Sequence, residues 1–171
     1  MSNRKFCGSC GAEYADLNWP RTCNSCGDIA WKNPIPVTFV LQPVWARDFS
    51  RQGLAIAQRA RNPGAGEWAF IGGFVDMQDT SLVEAARREF MEETGLELPG
   101  RASIVYSEQN TWGQMVIAVK TDRIMSFEEW SYGSVCEENL QLGVMWTADQ
   151  VELCFPIHQK IADRWFKDKI R

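Results

Sequence analysis

Histidine is almost absent from this chain of 171 residues, and the single one, His158, lies near the start of a predicted helix. A solvated or capping role is expected there rather than catalysis. Basic charge is also short. Eighteen Lys and Arg stand against twenty-two Asp and Glu, a formal net charge of −4. Non-specific affinity for nucleic acid comes mainly from cations meeting phosphates, so such a partner is not expected. No apolar run approaches the roughly 20 residues of a membrane span. The opening Met1-Ser2-Asn3-Arg4-Lys5-Phe6-Cys7 has no apolar signal-peptide stretch. Together these predict a cytoplasmic protein with no membrane association, in a reducing compartment. Internal repeats and low-complexity tracts are missing as well. With 45% apolar and 23% charged residues, the composition is that of an ordinary folded core.

Cysteine is present in a pattern. Cys7-Gly-Ser-Cys10 and Cys23-Asn-Ser-Cys26 are two CxxC pairs, each followed by glycine, Gly11 and Gly27. Glycine lets the backbone turn tightly and aim amides at the thiolates. Four thiolates at this spacing predict a closed, tetrahedral structural zinc site. Disulfides or incidental cysteines fit the doubled spacing poorly. Residues 1–33 are too few for a core of their own, so the metal would supply the folding free energy. Arg4, Lys5, Arg21 and Lys32 against Glu13, Asp16 and Asp28 leave this segment nearly neutral. A structural or dimer-forming role suits it better than nucleic-acid binding. Cys136 and Cys154 are far apart and are expected to be buried apolar filler.

Asn33-Pro34-Ile35-Pro36 punctuates the chain and opens a second domain, residues 34–171. Residues 37–45 read as one strand, and Leu54–Arg59 as its hairpin partner. Trp68–Ile71 is short and extended. Ser81 with Glu84 forms a capping box for a helix that runs to about Thr94 and stops at Gly95. Leu82, Ala86 and Phe90 make its apolar stripe, with Ala85 alongside. Ser103–Glu108 and Gln114–Thr121 are strands around a turn at 110–113. Glu128 to Glu138 reads as an acidic, aromatic loop, and Leu142–Trp146 as a strand. Pro156 opens a last helix with Ile157, Ile161, Trp165 and Ile170 on its buried face. This order predicts an α/β sandwich around a mixed sheet.

The most informative stretch is Arg88-Glu89-Phe90-Met91-Glu92-Glu93-Thr94-Gly95-Leu96. At helical spacing Glu89, Glu92 and Glu93 share one face. Like charges this close destabilise a helix. A solvated acidic face is the plain reading. A platform for hard divalent cations, which take oxygen ligands beside substrate phosphates, is the sharper one.

With Gly73-Phe74-Val75-Asp76-Met77-Gln78-Asp79 upstream, this run resembles the Nudix box. The second half matches in full. In the first half Asp79 takes the slot of a glutamate six residues after Gly73, and one extra residue precedes Arg88. Trp68-Ala69-Phe70-Ile71-Gly72-Gly73-Phe74 is similar to the family's approach to the box, with Ile71 where proline is common. The resemblance implies a Nudix α/β/α sandwich behind a zinc ribbon, similar to the zinc-ribbon FAD/ADP-ribose pyrophosphatases. The NADH pyrophosphatases are less similar, because Ser107–Trp112 lacks the prolines of their signature.

The resemblance further implies hydrolysis of the diphosphate bond of a nucleoside diphosphate derivative, ADP-ribose or FAD first, to two monophosphates. NAD(H) cleavage or removal of NAD caps from RNA is the nearest alternative. A non-catalytic nucleotide-sensing module is the second. Glu89, Glu92 and Glu93 would hold magnesium or manganese, with Arg88 steadying them and the Gly73 carbonyl completing the shell. Glu137 or Glu138 would take the proton, with Glu128 and Glu129 behind them. Arg59 is either a phosphate clamp or a solvated strand end. Of the eight tryptophans, Trp68 and Trp112 are the ones placed to touch a base, while Trp165 is packing. A homodimer is implied by resemblance alone.

Overall fold

A computed structural model describes residues 5–167, and the chain divides into two compact units after Pro34. The first unit has two turns of the same design. Cys7 N–H donates to the Ala12 carbonyl at 2.8 Å and Cys23 N–H to the Asp28 carbonyl at 2.8 Å. Gly11 and Gly27 take φ of 75° and 76°, a left-handed conformation that glycine adopts without strain. Their own amides donate to the Cys7 and Cys23 carbonyls and close each turn. Short strands β1 (Arg21–Thr22) and β2 (Ile29–Ala30) close the unit in antiparallel register. Among the described residues its apolar interior is Cys7, Tyr14 and Cys23, with Ala12 and Ala30 against them.

In the second unit the expected strand 37–45 is two strands. β3 (Ile35–Leu41) runs parallel to β8 (Gln114–Thr121), whereas β4 (Pro43–Trp45) pairs antiparallel with β5 (Gln52–Arg59). The chain changes sheet at Gln42, a fully buried amide. Gln42 Nε2 donates to the Pro43 carbonyl at 2.7 Å and the Arg123 carbonyl at 3.1 Å, and its Oε1 accepts from the Thr121 hydroxyl at 2.9 Å. A buried amide is tolerated because each of its polar atoms is paired. β7 (Ala102–Gln109) flanks β8, while β6 (Trp68–Ala69) and β9 (Asn139–Met145) flank β5. The free edge of β3 takes Val40 N–H to the Ile71 carbonyl and Thr38 N–H to the Gly73 carbonyl, both at 2.9 Å.

Alternation along the strands builds two apolar layers. Phe39, Leu41, Leu54, Ile56, Val116 and Ala118 face helix α3 (Pro156–Phe166), which contributes Ile161, Ala162 and Trp165. Val40, Ala55, Ala57, Ile117 and Val119 face helix α1 (Leu82–Thr94), which contributes Ala86 and Phe90. The arrangement is the expected α/β sandwich with a mixed sheet. Ser81 caps α1 by accepting from Glu84 N–H at 3.1 Å, and Gly95 ends it at φ 68°. Ile157 is partly buried against the α3 layer, and Ile170 lies outside the described residues.

Two expectations fail here. The predicted acidic loop contains a helix, α2 (Phe127–Ser131), with a reciprocal capping box between Ser126 and Glu129. His158 is buried, not solvated. Its Nδ1 accepts from Phe70 N–H at 3.1 Å between the rings of Phe39, Phe70 and Phe155. Burial pushes its pKa down to about 3, so it is neutral. No helix of the described residues is long and apolar enough to cross a membrane.

Candidate active site and thiolate cluster

Helix α1 brings Glu89, Glu92 and Glu93 to one wall of a cleft of about 490 Å³ that Arg61, Gly73, Phe74, Asp76, Glu137 and Glu138 also line. Glu93 is the most buried of the three. Its Oε1 accepts from Gly72 N–H at 2.9 Å and its Oε2 from Asn139 Nδ2 at 2.7 Å. Each oxygen keeps a lone pair for a further partner. Burial raises its pKa to about 7 against those hydrogen bonds. Burial also raises Glu89, with Arg88 opposing. A Cβ at position 73 would lie 2.6 Å from Glu89 Oε2, so a larger residue there would push the Glu89 carboxylate aside. The Gly73 carbonyl already accepts from Thr38, which leaves it one lone pair.

Arg88 ties the acids together. Its Nε and Nη2 grip both Asp79 oxygens at 3.0 Å, and Nη2 also reaches the Phe74 carbonyl at 3.0 Å. Nη1 donates to Glu89 Oε1 and Glu92 Oε2, each at 2.9 Å. A guanidinium offers five donors in a fixed fork, and this one uses its whole edge. Asp79 therefore meets the arginine despite its shorter side chain and the extra residue before the helix. The pairing holds the Asp79 carboxyl below its usual range. The Asp76–Asp79 loop bends back far enough for Asp76 N–H to donate to Asp79 Oδ2 at 2.8 Å.

Glu137 and Glu138 stand on the cleft rim and pair with Arg61 at 3.0 and 3.3 Å. Glu128 and Glu129 are elsewhere. Glu129 caps α2 and pairs with Arg123, and Glu128 accepts from the Tyr132 hydroxyl at 3.1 Å. Arg59 does not line the acidic cleft. Its Nε donates to the Pro63 carbonyl at 2.8 Å and its guanidinium lies 5.1 Å from the Phe155 ring centroid. Trp68 is half-buried in the α3 layer with its ring over Gly143. Trp112 is exposed at the β7–β8 turn, edge-on to Phe155. Cys136 is half-buried on the cleft wall and Cys154 half-buried behind Gly64, so neither is the buried filler expected. Arg61 and Asn139 escaped the sequence reading altogether.

In the first unit the sulfurs of Cys7, Cys10, Cys23 and Cys26 all lie within 4.8 Å of one another. Cys7–Cys26 and Cys10–Cys23 are 3.7 and 3.6 Å apart. A tetrahedron with metal–sulfur bonds of 2.3 Å has edges of about 3.8 Å, so the four sulfurs fit one metal ion. Backbone amides of Cys10 and Ser9 lower the Cys7 thiol to about 6, favouring the thiolate.

The NUDIX domain model matches residues 43–159, and the chain belongs to that family, whose hydrolases act on phosphoric anhydrides. Over 67 residues it is 34% identical to the ADPR responsive transcriptional repressor NtrR of Acinetobacter baylyi. That match covers 39% of this chain and only 27% of the repressor's length. In fold it is similar to a NUDIX hydrolase from Nitrosomonas europaea, with a TM-score of 0.67 and 20% identity over 96% of this chain and 92% of that one. It is equally similar to the NUDIX domain of Shewanella oneidensis NrtR, solved with ADP ribose: TM-score 0.67, 19% identity, 81% and 90% coverage. A longer form of the Shewanella protein, solved with a 27mer DNA, aligns at 0.60 and 19% identity over 78% of this chain and 60% of that one.

Proposed function

We propose that this protein hydrolyses the diphosphate bond of a nucleoside diphosphate derivative, ADP-ribose or FAD first, to two monophosphates. The observation that carries this reading is the joining of Glu89, Glu92 and Asp79 through one arginine, with Glu93 held beside them by Gly72 N–H and Asn139, at an open cleft. Four carboxylates held that close need positive charge beyond the single guanidinium. Magnesium or manganese bound by Glu89, Glu92 and Glu93 would neutralise diphosphate oxygens and supply a water of lowered pKa. Arg88 fixes the two outer glutamates so that they need not reorganise, a positioning duty. Gly72 N–H and Asn139 fix the third. Arg61, which lines the cleft, has a guanidinium that suits a phosphate oxygen. Glu137 or Glu138, released from Arg61, would take the proton.

Zinc is the ion proposed for the four thiolates, on ligand type and sulfur spacing. A reducing cytoplasm suits cysteines that form no disulfide. The ribbon would be structural or dimer-forming, and nucleic acid would enter only as a capped end of RNA.

The test is a panel of ADP-ribose, FAD and NADH with magnesium, products identified by mass spectrometry in oxygen-18 water. Glu92→Gln and Glu93→Gln should each lower turnover by a hundredfold or more, the scale of several kcal/mol of lost charge stabilisation, at unchanged fold. Preferential cleavage of NADH to AMP and reduced nicotinamide mononucleotide would move the substrate to NAD(H). A second reading, a nucleotide sensor without turnover, draws on the relative named as an ADPR responsive repressor. Binding of ADP-ribose with no magnesium-dependent cleavage of any dinucleotide would establish it.

A further inference from the structure

Trp112, Phe155 and Arg59 form a rigid aromatic patch at the cleft end of the sheet, on its α3 side. The location follows from the register. Gly113 O accepts from Ile35 N–H at 3.1 Å, and one residue on Pro36 O accepts from Val75 N–H at 3.2 Å. The β7–β8 turn and the Gly73–Val75 segment therefore meet at the same end of β3. Arg59 likewise stands two residues before Arg61, which pairs with the rim acids. The segment that brings one guanidinium to the cleft brings another to the patch.

The patch is built, not incidental. Asn110 Oδ1 accepts from both Trp112 N–H and Gln114 N–H at 3.0 Å, and Asn110 Nδ2 donates to Gln114 Oε1 at 2.6 Å. This braced turn holds an indole that is 59% exposed. The indole meets Phe155 edge-on, with centroids 6.3 Å apart and planes at 81°. Phe155 is fixed in turn by the edge of buried His158 at 5.0 Å. Arg59 Nε is tied to Pro63, but among the described residues no acceptor meets its terminal Nη atoms. An exposed aromatic face beside unpartnered donors is complementary to a planar ring with acceptors at its edge.

We infer that this patch holds the ring of the substrate's far half, and that the ring carries adjacent acceptor atoms, as an isoalloxazine does. The inference rests on the proposed diphosphatase reading. Arginine pairs bidentately with two neighbouring acceptors, whereas adenine offers a donor beside an acceptor and suits an amide side chain. The patch thus selects a flavin dinucleotide over ADP-ribose, whose far half has no ring system to stack.

Trp112→Ala, made in the full-length zinc- and magnesium-loaded protein, tests this. It should lower kcat/KM for FAD at least tenfold more than kcat/KM for ADP-ribose, since one stacked ring is worth about that much or more. Arg59→Gln should act in the same direction, and Arg59→Lys, which keeps the charge but not the fork, should not restore it. FMN, the ring-bearing fragment, should bind wild type more tightly than Trp112→Ala by flavin fluorescence anisotropy. Equal losses on both substrates would assign the patch to adenine and overturn the inference while leaving the diphosphatase reading intact. FMN binding that is undetectable in wild type, or unchanged in the variant, would also overturn it. Should wild type cleave no dinucleotide, the diphosphatase reading falls, and a loss of FMN binding in Trp112→Ala would keep the ring site alone.

Discussion

The two units of this chain are held by different forces. Residues 5–34 bury two thiols, one tyrosine ring and little else, with two-residue strands and a buried arginine, Arg21, lying 4.1 Å from the Trp19 ring centroid. Residues 35–167 bury two full layers, among them Phe39, Leu54, Ile56, Phe90, Ile161 and Trp165. Where the chain is too short to remove enough apolar surface from water, coordination has to supply the stability. Where two layers do that work, the surface is free to carry groups that repel each other. The crowded acids of α1 are tolerated because Phe90, on the same helix, is wholly buried. The two proposed metal sites would differ in the same way: four thiolates would close around an ion, whereas the cleft leaves room for water and substrate.

Removing the ion from the ribbon should break this contrast most visibly. Structural zinc contributes about 10–16 kcal/mol in small fingers. Strong chelation should abolish amide protection across residues 5–34 in hydrogen exchange and leave β3, β5 and β8 protected. Protection that persists in the ribbon without metal would show that it has a sufficient core of its own.

Phe39→Ala probes the other side. It deletes a fully buried ring and should cost about 3–5 kcal/mol in urea unfolding of the second unit, with zinc retained by the first. A loss under 1 kcal/mol would mean the layer is not the source of stability.

His158→Leu is smaller and adds a pH signature. The folded histidine has its pKa depressed to about 3, so its contribution is complete above the unfolded value near 6.5 and falls as pH drops toward 3, by at most about 1.4 kcal/mol per unit. The variant leaves Phe70 N–H without its acceptor and should lose about 1–3 kcal/mol at pH 7.5. Its stability should then respond less to acid between pH 6 and 4 than wild type does. Parallel curves would remove His158 from the account.

What the sequence made legible was local. The cap at Ser81, the stripe ending in Phe90 and the stop at Gly95 gave α1 its bounds, and alternation gave β8 its bounds. Two CxxC pairs at fixed spacing pointed to a thiolate cluster before any coordinates. What stayed hidden was long-range. Nothing in Val37–Trp45 says that its two halves join different sheets, because periodicity reports a face and not a partner. Asn139 supports Glu93 from 46 residues away. Whether Arg59 or Arg61 faces the cleft depends on the turn at Pro63. Helix α2 could have been found: Ser126 and Glu129 stand at capping-box spacing, but the helix is too short for periodicity to show. His158 was misplaced because its partner, Phe70 N–H, is unpaired only once β6 has ended.

The amide of Gln42 has one more implication. By bonding the Pro43 and Arg123 carbonyls and the Thr121 hydroxyl, it pins the crossover between sheets. The hairpin beyond it, Ala46 to Arg51, sits at the far end of β5, roughly 23 Å from Arg59 at strand rise. Length added to that hairpin has no lever on the acids of α1. A fluorescent reporter grafted between Asp48 and Ser50 should ride along silently, and the enzyme would tolerate cargo there that it would refuse at the 110–113 turn.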